Sequence, residues 1–75
     1  MNEEKYYLLH DSAPDGVRLN MLVKLNGACV AMYSAYHNSR TQTYTLYPLR
    51  RLNASHHNMR KHTISDRLVR FGDRA

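Results

Sequence analysis

The feature that most restricts the fold of this chain is a regular alternation that ends on a turn signal. In Val17-Arg18-Leu19-Asn20-Met21-Leu22-Val23-Lys24-Leu25 every odd position is apolar, and every even position is polar except Leu22. A period of two is that of a β-strand with one face on a core. Asn26-Gly27 follows at once. This dipeptide readily takes the positive φ angles that both central residues of a type I′ turn require, so a hairpin is expected here. The partner strand is residues 28–36, with Val30, Met32 and Tyr36 on one face and Cys29, Tyr33 and Ala35 on the other. A two-residue turn fixes the register, so Leu25 faces Ala28, Val23 faces Val30 and Met21 faces Met32. A helix over residues 28–36 is the competing reading, because Ala and Met favour one.

His37-Asn38-Ser39-Arg40 reads as the next turn, and residues 41–47, rich in Thr and Tyr, as a third strand. Residues 5–10 make a fourth, set off by the turn Ala13-Pro14-Asp15-Gly16. Beyond Tyr47-Pro48 the pattern turns helical. Pro48 can open a helix, and Leu49, Leu52, His56 and Met59 share a face, although Asn53, Ser55, His56, His57 and Asn58 are poor helix formers. In the last segment Thr63 can cap the amide of Asp66, Ile64, Leu68 and Phe71 recur at i, i+4 and i+7, and Gly72 suits the position after a helix end. The expected fold is therefore α+β: a small antiparallel sheet of three to four strands followed by one or two short C-terminal helices on one face. Its expected core is Leu19, Met21, Val23, Leu25, Val30, Met32, Leu46, Leu49, Leu52, Ile64, Leu68 and Phe71.

At 75 residues and 8.8 kDa the chain has apolar side chains for one core, so residues 1–75 form a single small domain. A core of this size invites a homodimer that covers a sheet edge. Mean hydropathy of −0.65 leaves no stretch near the roughly 18 apolar residues of a membrane span. The lone Cys29 cannot form an internal disulfide, and the apolar run from Tyr6 to Leu9 is too short for a secretory signal, so a cytoplasmic location is expected. Asn53-Ala54-Ser55 matches a glycosylation acceptor, but in that compartment the match is coincidental.

Charge is distributed by position. Eleven Lys and Arg against six Asp and Glu give +5 at neutral pH and a pI near 9.7. Glu3, Glu4, Asp11 and Asp15 gather at the N-terminus, whereas no acid falls between residues 40 and 65. Arg50, Arg51, Arg60 and Lys61, with Arg67 and Arg70 on a flank of the last expected helix, make the C-terminal third a cationic surface. Phosphates are neutralised by such residues, and exposed tyrosines on a sheet can stack on unpaired bases. All six tyrosines fall in expected strands, and Tyr44 and Tyr47 lie beside the cations. These eight residues are the expected binding site, and the partner is nucleic acid or a nucleic-acid-handling protein complex. A second class of binder fits the same charge: a phage or mobile-element inhibitor, anti-CRISPR-like in style, that docks on a host complex through its carboxylates.

Enzymatic chemistry has weaker support. The His57/His62 pair has no Cys-x2-Cys partner to complete a zinc site. No phosphate-binding glycine loop, nucleophile elbow or spaced carboxylate pair is present. A toxin-type ribonuclease needs only a base, an acid and a cation, and His, Tyr and Arg can supply them, yet no spacing ties two such groups together. A binding protein without metal or cofactor is expected, and His56, His57 and His62 read as exposed polar residues.

Overall fold

A computed structural model describes residues 4–9 and 18–71. It shows an all-β protein, a six-stranded mixed sheet curled into a half-barrel. The strands are β1 (Glu4–Leu8), β2 (Leu19–Leu25), β3 (Ala28–Asn38), β4 (Thr43–Arg51), β5 (His62–Ser65) and β6 (Val69–Phe71), in spatial order β5-β4-β3-β2-β1-β6. Neighbours are antiparallel except β1 and β6, which run parallel. The expected turn at residues 13–16 and Gly72 lie outside the described residues.

The hairpin forms where local chemistry demands it. Asn26 and Gly27 have φ of 52° and 85°, as a type I′ turn requires, and residues 28–36 are strand rather than helix. Leu25 pairs with Ala28 and Lys24 with Cys29. Beyond them the register corrects the sequence expectation, because Val23 pairs with Ala31 and Met21 with Tyr33. Val30 is an extra residue in β3, a bulge that increases local twist. Its consequence is a change of face: Ala31, Tyr33 and Ala35 join Met21 and Val23 inside, whereas Met32 points outward and leaves the core. The next turn uses residues 39–42, with the Asn38 side-chain oxygen accepting from the Arg40 and Thr41 amides at 3.0 and 3.3 Å.

Neither expected C-terminal helix exists. Pro48 sits within β4, past the end of β5 and beside a second bulge at Leu49, places where a strand tolerates a residue with no N–H. Leu49 is accordingly exposed. In the last segment Thr63 and Ile64 pair with Thr45 and Tyr44, so β-branched residues extend a sheet instead of starting a helix. Among the described residues helical structure shrinks to one 3-10 turn, Asp66–Leu68, capped by Ser65, whose Oγ accepts from the Arg67 amide at 3.2 Å. Of the supposed apolar stripe only Ile64 is buried, while Leu68 and Phe71 are 56% and 77% exposed.

The 3-10 turn carries the chain from one edge of the sheet to the other, since β5 pairs with β4 and β6 with β1. The core fills the concave side: Tyr6, Met21, Val23, Val30, Ala31, Tyr33, Ala35, Tyr44, Leu46 and Ile64, with Leu8, Leu19, Leu25, Met59 and Val69 packed against it. Residues 52–61 cross the open end, pinned at the Val30 bulge. The Leu52 amide and Ser55 Oγ both donate to the Val30 carbonyl, at 3.0 and 2.8 Å, and Asn53 Nδ2 donates to the Cys29 carbonyl at 2.8 Å.

Asn53 and Ala54 turn this segment with φ of 55° and 51°. Asn tolerates that region, but it costs a residue with a Cβ about 1–2 kcal/mol. Ala54→Gly should therefore raise stability by about 0.5–1 kcal/mol after the larger backbone entropy of glycine is deducted. The check is a higher urea midpoint at unchanged slope.

Candidate nucleic-acid interface

A strand sends alternate side chains to opposite faces, and that rule divides the cationic residues. Adjacent Arg50 and Arg51 part company: Arg50 pairs with Met32 on the convex side, whereas Arg51 pairs with Ala31 and donates from Nε to the His57 carbonyl at 3.1 Å. Arg60 and Lys61 divide likewise. Arg60 lines a cleft at the concave mouth, and the Lys61 ammonium lies 5.3 Å from the centroid of the Tyr47 ring. Arg70 pairs with Tyr7, which places it on the convex side, while Arg67 stands at the rim near Glu4 and Tyr6. Tyr44, one of the expected contact residues, is 5% exposed within the core and has no surface to offer a partner. Tyr47 is 40% exposed.

The convex face thus carries tyrosines on β1, β3 and β4, with cations beside them and apolar or small polar residues between. One transverse row runs Arg70, Tyr7, Leu22, Met32, Arg50 across five strands. The next runs Asn20, Ser34, Tyr47, with Tyr36 beside it, its ring meeting Tyr47 at 5.6 Å and 88°. Lys24 adds an ammonium 5.1 Å from the Tyr7 ring centroid. Among the described residues the acids are Glu4 and Asp66, and both face other groups. Glu4 Oε1 accepts from the Tyr6 hydroxyl at 2.7 Å, and Asp66 Oδ2 accepts from His37 Nε2 at 3.0 Å. Sequence reasoning missed Tyr36 and Arg50's separation from Arg51. The alternation of residues 43–47, where Leu46 marks the even positions as interior, was a signal against Tyr44 as a contact residue, but the Leu49 bulge reverses that parity beyond Pro48 and hides the side that Arg50 takes.

The concave mouth holds a second cluster, in a cleft of about 390 Å³ lined by Glu4, Tyr6, Tyr33, His57, Arg60 and His62 among others. The histidines expected as exposed loop residues divide here: His56 is exposed, but His57 and His62 flank the fully buried Tyr33, both edge-on, at ring-centroid distances of 6.3 and 5.3 Å. The Tyr33 hydroxyl and His57 Nε2 are hydrogen-bonded at 3.2 Å. On the other side of the ring, His57 Nδ1 faces Glu4 Oε2 at 3.8 Å. His62 donates from Nδ1 to the Arg60 carbonyl at 2.8 Å, so its Nε2 is the basic nitrogen. Most of these polar atoms are satisfied by one another, which makes the cluster a latch holding residues 52–61 over the core. Among the described residues no three His, Cys, Asp or Glu side chains are grouped to hold a metal. Comparison with protein-family models, curated proteins and solved structures returned no match.

The interior tyrosines resist ionisation. Burial pushes the Tyr6 hydroxyl far up, helped by its hydrogen bond to Glu4 and by that carboxylate's charge. Burial also raises Tyr33, against the Arg60 amide, and raises Tyr44 with a contribution from Asp66. Below the ordinary tyrosine value of 10.0 the folded and unfolded chains are both protonated, so stability is undiminished. As pH rises above it the unfolded chain releases these protons and the fold retains them, so stability falls. The thermal midpoint should drop between about pH 9 and 11.5, and more gently in Tyr6→Phe than in the wild type.

Proposed function

We propose that this protein binds single-stranded nucleic acid on the convex face of its sheet, without turnover. The observation that carries the reading is the placement of exposed Tyr36 and Tyr47 together with Lys61 and Arg50 on a face where no described residue is acidic. Rings on a sheet surface stack on unpaired bases, and flanking cations follow the phosphates. A duplex offers no free base faces, which is why a single strand suits this surface better.

Cleavage has one point in its favour, the basic Nε2 of His62 beside Arg60 in the mouth cleft. Against it, Tyr33 and His57 are bonded to each other and Tyr33 is fully buried, which argues against either as the second proton-transfer group that ribonuclease chemistry needs.

Reversing Lys61 and Arg50 to Glu together should weaken binding of a single-stranded oligonucleotide at least about 10-fold with little change in thermal midpoint. The same reversal at Arg60 alone should have a far smaller effect on binding. Three phosphate contacts, from Arg50, Lys61 and Arg70, imply a slope near about −2 of log affinity against log salt. An affinity indifferent to both salt and reversal would sink the reading and favour a protein partner, and conversion of the oligonucleotide to fragments would restore the ribonuclease.

A further inference from the structure

The convex face contains a built recess as well as a surface. Ser34, Tyr36 and Tyr47 line a notch of about 240 Å³. Its floor is Ser34, only 8% exposed, whose hydroxyl is enclosed in its resting rotamer and has no hydrogen-bond partner among the described residues. Its walls are the two phenol rings, set at 88° to each other. A buried hydroxyl left unpaired is costly, by about 1–3 kcal/mol, and Ala at this position would avoid the penalty in the same volume. The polar atom is therefore explained by something that enters the notch and pairs with it.

We infer that the notch seats one unpaired nucleobase, edge inward, with its face on one tyrosine, its rim against the other and its polar edge on the Ser34 hydroxyl. The inference rests on the nucleic-acid reading above and deepens it from general stacking to selection among bases. Three features of the notch favour this occupant. The perpendicular walls accept a flat ring rather than a branched aliphatic group. The polar floor rewards a ring whose edge carries donors or acceptors, as every base does. Lys61, stacked on Tyr47, and Arg50 two strand positions beyond Pro48 put positive charge at the opening, where the phosphates on either side of an inserted base would lie. Ser34 pairs with Asn20 on one side and Tyr47 on the other, so its backbone is held by two ladders and rotation about χ1 is what turns the hydroxyl toward the notch. A fixed backbone limits where the turned hydroxyl can sit, and only a base whose donor or acceptor reaches that point gains the bond.

The test is titration of labelled uridine, cytidine and adenosine homopolymers against the wild type, Ser34→Ala and Ser34→Val, with thermal midpoints measured in parallel. The wild type should prefer one homopolymer. Ser34→Ala should lose about 5–10-fold in affinity for that one, the worth of a hydrogen bond, and stay within about twofold for the others. Its thermal midpoint should be unchanged or higher, since a hydroxyl with an internal partner would instead leave the variant less stable. Ser34→Val, which fills the notch, should weaken binding of the preferred homopolymer further. Wild-type binding with no preference, or a preference that survives both substitutions, overturns the inference and leaves the general reading standing. Failure of the wild type to bind any homopolymer overturns both.

Discussion

A three-residue bridge sets the shape of this protein. In a flat sheet the outer strands β5 and β6 would be separated by five inter-strand gaps of about 4.8 Å, about 24 Å in all. From Ser65 to Val69 the chain reaches at most about 14 Å, and less through a 3-10 turn. Both pairings can hold only if the sheet curls until its edges approach. The two longest strands supply the bending through bulges at Val30 and Leu49, where an extra residue increases twist. The bridge itself is held by the Asp66 amide on the Gln42 carbonyl at 2.9 Å and by the His37–Asp66 contact.

Curling solves the problem of a small core. The concave side closes on itself, and Tyr33, Met21, Leu46 and Val23 become fully buried without a helix layer. One end stays open, and residues 52–61 cover it. Leu52, Asn53 and Ser55 grip the carbonyls of Val30 and Cys29, at the bulge that bends β3 and just past the last β3–β4 pair, so curvature and cover meet at one place. The Tyr33–His57 contact fastens the far part of the same segment.

How much of this was legible depends on the range of the interaction involved. Asn26-Gly27 acts within four residues, and its hairpin and first pairs are as the sequence implies. The Val30 bulge answers to curvature set by residues 66–68, far along the chain, and nothing in residues 28–36 announces it. It exchanged Met32 for Tyr33 in the core. The spacing of Ile64, Leu68 and Phe71 mimics a helix over too few residues to exclude a strand, and the pairing of Thr63 and Ile64 with β4 decided the matter. The site suffered from the same error. Helices would have gathered Arg50 with Arg51 and Arg60 with Lys61 on one surface, but extended chain sends them apart. Tyr47 and the C-terminal cations were visible as residue types; which of them share a face was a question of secondary structure.

The proposed location of function follows from what the curl consumes. A barrel of this girth is filled by its own side chains, so no ligand can enter between Tyr33, Met21 and Leu46. The mouth is occupied by the mutual bonds of Glu4, Tyr6, Tyr33 and His57. Acids and cations are consequently sorted by role: the described carboxylates are engaged at the mouth and at the bridge, and the charged groups of the convex side are cations set beside tyrosines. Such a face adds little to folding, because cations there repel one another and the rings of Tyr36 and Tyr47 stay partly wet. The nucleic-acid reading proposed above rests on that composition, because tyrosines among cations have the chemistry to meet bases and phosphates together.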